Sequence, residues 1–104
     1  MGAAAVRLGD TCSGHGGYPP RASTGGSSNV NINGLGAVRV GDSWASHTNG
    51  STAHTGIQST SSATVKINGL GAARIGDQIW NNNHGVNSDC FSSCAVGSGD
   101  VFIG

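Results

Sequence analysis

The chain has 104 residues, no net charge and ten charged side chains, five of each sign, with no glutamate. Without a Lys/Arg cluster it lacks the electrostatic footprint of a nucleic-acid binder, and no apolar run approaches the roughly 20 residues that span a bilayer. Gly, Ser, Asn and Thr supply 49 of the positions; all are poor in a helix interior, so a helical bundle is excluded and a thin-cored, turn-rich β protein remains.

From the N-terminus, residues 1–6 lack the charged region and long apolar stretch of a secretion signal. Ala5-Val6-Arg7-Leu8-Gly9-Asp10 then reads as the second half of a repeat unit. The whole unit follows at residues 30–42 (Val30-Asn31-Ile32-Asn33-Gly34-Leu35-Gly36-Ala37-Val38-Arg39-Val40-Gly41-Asp42) and again at residues 65–77, 35 positions on. Val101-Phe102-Ile103-Gly104 matches its first half, so the chain begins and ends inside one unit. Each unit predicts a β-hairpin: Val-x-Ile alternates, Asn-Gly favours a primed turn, and a small apolar strand follows. The closing Gly-Asp places Asp10, Asp42 and Asp77 to bond nearby backbone N–H groups. If the terminal halves pair, three hairpins in one chain give pseudo-threefold symmetry. The expected architecture is therefore all-β, one domain over residues 1–104, with the third repeat split between the termini.

Residues 11–29, 43–64 and 78–100 read as three polar loops, and they hold every histidine and cysteine: Cys12 and His15, then His47 and His54, then His84, Cys90 and Cys94. Such residues in the loops of a core-poor domain point to a structural metal, best Zn²⁺, one ion per chain. Disulfides are the alternative staple, with Cys12 joined to Cys90 or Cys94. Repeat register selects a ligand set. His54 and Cys90 each precede the lead-in to the next hairpin by seven positions, at Ser61 and Gly97; His15 and His47 each follow a closing aspartate by five. The expected ligands are His15, His47, His54 and Cys90. His84, within an Asn-rich stretch without counterpart, reads as an exposed insertion, and Cys94 as a small buried residue or free thiol.

These motifs resemble the PAAR family. Gly71-Ala72-Ala73-Arg74-Ile75-Gly76-Asp77 is similar to its Pro-Ala-Ala-Arg repeat, with glycine in place of the proline, and residues 36–42 and 5–10 are degenerate copies. His15-Gly16-Gly17-Tyr18-Pro19-Pro20-Arg21 is similar to the family's His-x-x-Phe-Pro-Pro-Arg segment, and residues 97–104 to its closing Gly-Ser-x-x-Val-Phe-x-Gly. The resemblance implies a cone of three hairpins whose loops converge on an apical zinc held by three His and one Cys. It implies a structural tip, not an enzyme, that caps and sharpens the trimeric β-helical central spike (VgrG or phage tail-spike type) of a contractile injection machine, one chain per trimer, and touches the target membrane in passing. The expected location is a phage baseplate tip, or bacterial cytoplasm before export with the machine. Ile32, Val40, Ile67, Ile75, Val101 and Ile103 are the expected contributors to core and spike-facing base. An adaptor carrying a secreted effector is the alternative reading; no toxin segment is expected, because the chain ends where the repeat closes. A zinc hydrolase is disfavoured by the absence of a glutamate base.

Overall fold

The computed structural model describes residues 2–14, 19–48, 50, 53–81 and 91–103. Among these there is no helix, and ten strands are present: β1 (Ala3–Ala4), β2 (Asn31–Ile32), β3 (Leu35–Gly36), β4 (Ser43–Thr48), β5 (Ala53–Gln58), β6 (Lys66–Ile67), β7 (Leu70–Gly71), β8 (Gln78–Asn81), β9 (Phe91–Ser93) and β10 (Phe102–Ile103).

The two complete repeat units fold as hairpins β2–β3 and β6–β7. Their turns carry positive φ at both central residues, 54° and 81° at Asn33 and Gly34, 55° and 82° at Asn68 and Gly69. That is the primed geometry matching the twist of antiparallel strands, and Asn-Gly adopts it most cheaply. Strands from the two ends of the chain make the third pair, with Ile103 opposite Ala3 and Phe102 opposite Ala4.

The three units interlock as a ring. The Val6 amide donates to the Ala73 carbonyl, Ala73 to Val38, and Val38 back to Val6, at 3.1, 2.9 and 3.0 Å. A second cycle runs from Leu8 to Gly36, Val40 to Gly71 and Ile75 to Ala4, at 2.7, 2.8 and 2.9 Å. The two cycles run in opposite senses, so each unit donates to both neighbours and accepts from both, which closes the sheet edges within the ring among the described residues. The molecule measures 37 × 23 × 21 Å, one long axis and two nearly equal short ones.

Each unit closes with the same clasp. Asp10, Asp42 and Asp77 accept from the backbone amide three residues earlier, all at 2.8 Å. Each also accepts two bonds from that residue's guanidinium, Arg7, Arg39 or Arg74, at 2.9–3.0 Å. The turn-making role expected for the aspartates holds, and the paired arginines strengthen it through charge-assisted, two-pronged bonds.

The three long segments depart from the sequence expectation. Among the described residues the second and third hold strands: β4, β5, β8 and β9 form one curled antiparallel sheet in that order, with a bulge in β4 between Trp44 and His47. Bridges Cys12–Cys94, Thr11–Ala22 and Ser23–Trp44 carry the pairing on from β9 through the first segment to β4. Hydrophobicity marks their inward face only in part, at Trp44 and Ile79. In β5 the buried residues are Gly56 and Gln58, whereas Ile57 faces outward, as does Trp80 in β8.

The core has two clusters. Ile32, Ile67 and Ile103 pack with Ala5, Ala37 and Ala72. Val6, Val38 and Ala73 pack with Trp44, Ile79, Cys12 and Cys94.

Candidate functional site

Backbone hydrogen bonds define which residues of the long segments are equivalent. Ser23, Gln58 and Cys94 donate their amides to the carbonyls of Asp10, Asp42 and Asp77, at 2.9, 2.8 and 2.8 Å. Their own carbonyls accept from Gly9, Gly41 and Gly76, at 3.3, 2.9 and 3.0 Å. The three therefore hold one position of the repeat. Four residues earlier stand Pro19, His54 and Cys90; five residues after the aspartates stand His15, His47 and Asn82. Of these six, Pro19, His47 and His54 are among the described residues.

Of the four expected ligands, His15 and Cys90 lie outside the described residues, as does His84. His54 is placed by its backbone: it sits in β5 directly opposite His47 in β4. His47 is buried, and its ring is held at both nitrogens. Nδ1 lies 2.8 Å from the Pro19 carbonyl, and Nε2 meets the Arg21 guanidinium. A carbonyl only accepts and a guanidinium only donates, so Nδ1 carries the proton and Nε2 the lone pair. A carbonyl behind Nδ1 is the support that metal-binding histidines ordinarily have. The tautomer is the one a metal-binding histidine has, but its Nε2 is engaged here by the Arg21 guanidinium. Among the described residues no cluster of three or more His, Cys, Asp or Glu side chains is assembled.

Arg21 is the residue that sequence reasoning missed here. It occupies the same repeat position as Gly56 and Ser92, two residues before Ser23, Gln58 and Cys94. All three are buried. A Cβ added to Gly56 would run into the Arg21 guanidinium and come within 2.7 Å of Ile79 Cγ2. Two minimal side chains thus leave the space that one arginine fills. Burial lowers the Arg21 pKa from its usual value, whereas the Asp hydrogen bonds raise those of Arg7, Arg39 and Arg74. Cys94 is buried as expected; burial pushes its thiol up to about 12.

The apolar residues assigned to the base divide. Ile32, Ile67 and Ile103 belong to the core, because alternation in the short strands turns them inward. Ile75 and Val101 are exposed, and Val40 is half-buried. The outward apolar surface also includes Leu8, Leu35, Val65, Leu70 and Phe102, which the sequence reading passed over. Their repetition was the available signal: Leu35 and Leu70 are equivalent, as are Leu8, Val40 and Ile75.

The family model described as PAAR motif matches residues 13–85, more than half of the chain. The chain belongs to the PAAR motif family. A comparison with curated proteins gave no significant match. PAAR proteins are a structural spike-tip family, not an enzyme family, and membership supports a spike-tip role, in association with a spike protein, in type VI secretion or phage machinery. The match runs through both complete repeats and the Pro19-Pro20-Arg21 segment that brackets His47.

Proposed function

We propose that this PAAR chain caps a trimeric β-helical spike, one copy per trimer, with its hairpin end against the spike and its ligand end forward as the point. The observation that carries this reading is the closed cycle of hydrogen bonds through Val6, Val38 and Ala73. A single chain that repeats its backbone three times about an axis offers matching surfaces to three identical subunits. The exposed Leu8, Ile75, Leu35 and Leu70 supply apolar area for that contact. In this role the chain travels at the tip of a phage tail baseplate, or stays in bacterial cytoplasm until it leaves with the spike. Its membrane contact lasts only as long as the thrust.

The point is held by one Zn²⁺ on His15, His47, His54 and Cys90. When bound, such an ion supplies on the order of ten kcal/mol of folding free energy, enough to offset much of the ordering cost of glycine-rich chain. His47 would offer Nε2 to the ion, with Nδ1 held by the Pro19 carbonyl, and the Arg21 guanidinium would have to give up that nitrogen.

Two experiments test the proposal. Mixing the chain with the purified trimeric spike from the same genome should give a complex of one chain per trimer by native mass spectrometry; three chains per trimer would refute the stoichiometry. Metal analysis should find one zinc per chain, with His47→Ala lowering both zinc content and melting temperature. A metal-free protein that melts unchanged in chelator would remove the zinc from the proposal and leave the cap.

A further inference from the structure

Cys12 and Cys94 are bridge partners on adjacent antiparallel segments. The hydrogen bonds around them identify the kind of pair. Ser13 donates to the Ser93 carbonyl at 2.8 Å and Ala95 to the Thr11 carbonyl at 3.1 Å, while the Cys12 and Cys94 amides donate elsewhere, to Arg21 and Asp77. The bonds thus flank the two cysteines without joining them. In such non-hydrogen-bonded pairs the Cα atoms stand about 4.5 Å apart, with side chains closest on a shared face. That lies at the short end of the roughly 4.4–6.8 Å range that disulfides span. Both side chains lie in the same buried cluster, each 2% exposed.

The repeat shows how specific this pairing is. Equivalent bridges elsewhere join Trp44 to Ser23 and Ile79 to Gln58. Each sets a large side chain against a smaller polar one. Only the bridge that returns the last repeat to the first sets thiol against thiol. The sulfurs have weak partners, at 3.4 Å in both cases: Gly14 donates its amide to Cys12 Sγ, and Cys94 donates its thiol to Gln58 Oε1. Neither contact would hold a thiol against oxidation.

We infer that Cys12 and Cys94 are a cross-linking site, forming an intramolecular disulfide that locks the last repeat to the first and stabilises the native ring. The oxidant is a low-molecular-weight disulfide such as oxidised glutathione. One cysteine thiolate attacks it, forming a mixed disulfide and releasing one glutathione thiolate; the second attacks the protein-bound sulfur and releases the other. Two S–H bonds are lost, one protein S–S bond forms, and one glutathione disulfide is reduced to two thiols. Burial makes both sulfurs inaccessible in the closed fold, and the Cys94 thiol, pushed up to about 12, supplies little thiolate. Exchange therefore runs in the folding chain and is slow in the folded one. The cross-link closes most of the chain into one loop, the situation in which a disulfide restricts the unfolded state most.

The inference does not depend on the proposed spike or metal, since Cys90 is read separately. The full chain is refolded in a glutathione redox buffer, quenched with N-ethylmaleimide and digested without reduction. Cleavage after Phe91 separates Cys90 from Cys94. The expected result is one free thiol of three, a linked peptide pair containing Cys12 and Cys94, alkylated Cys90, and a melting temperature higher than that of the reduced protein by on the order of ten degrees. Folded reduced protein in the same buffer should oxidise at least tenfold more slowly. Three free thiols at equilibrium, or a bond that includes Cys90, would overturn the inference. So would a cross-linked form that melts below the reduced one, because the native strands would then not accept the bond.

Discussion

The hairpins and the long segments share one threefold backbone register, but they treat it differently. At the hairpin end the side chains repeat with the backbone. Three isoleucines face three alanines, three Arg–Asp clasps close the turns, and Val6, Val38 and Ala73 fill equivalent places. In the long segments the backbone repeats while the side chains diverge. Cys12, Trp44 and Ile79 share one position, and Arg21, Gly56 and Ser92 another. Both sets are interior. Three isoleucines against three alanines fill the hairpin core symmetrically, whereas the Arg21 guanidinium lies where a Cβ on Gly56 would stand, so that position cannot carry three arginines.

Substitutions can break this comparison. The largest effect is expected at Trp44, which is buried and donates Nε1–H to Gln58 Oε1 at 3.0 Å. Trp44→Ala should cost about 3–5 kcal/mol in urea unfolding. Val38→Ala, which only reproduces what Ala73 already is, should cost about 2 kcal/mol. Equal losses would mean that the long segments are no more individual than the hairpins.

The clasps test the symmetric half. Asp10→Asn, Asp42→Asn and Asp77→Asn should each destabilise by about 1.5–3 kcal/mol, the worth of hydrogen bonds to a charged group. The side chains are largely but not wholly shielded from water, so the lower half of that range is expected. Three unequal values would show that the repeats carry different shares of the ring.

The smallest effect, counted per pH unit, concerns the Cys94 thiol. In reduced protein the Cys94 thiol titrates near 12 in the fold against 9.0 in the open chain. Between those values the folded state binds more protons than the unfolded one, so this contribution is complete below pH 9 and is lost as pH rises towards 12. The slope is at most about 1.4 kcal/mol per pH unit. Chemical denaturation of Cys94→Ala across that window should lack it; an unchanged slope would assign the loss to other groups.

What the sequence determined by itself was local. Asn33-Gly34 and Asn68-Gly69 specify primed turns through neighbouring φ angles, and an aspartate three residues after an arginine clasps the turn between them. The split repeat announced that the two ends belong to one hairpin, and its register placed His54 and Cys90 at one position and His15 and His47 at another. The strands of the long segments were hidden, because inward positions are filled by Gly56, Gln58 and Ser92, which carry no hydrophobic signal. Only the tertiary structure decided that Arg21 goes inside, that Ile32, Ile67 and Ile103 are core, and that Cys12 faces Cys94. Each depends on what stands across the axis: a guanidinium is buried where the facing positions are small, and a thiol meets a thiol only where the last repeat closes on the first.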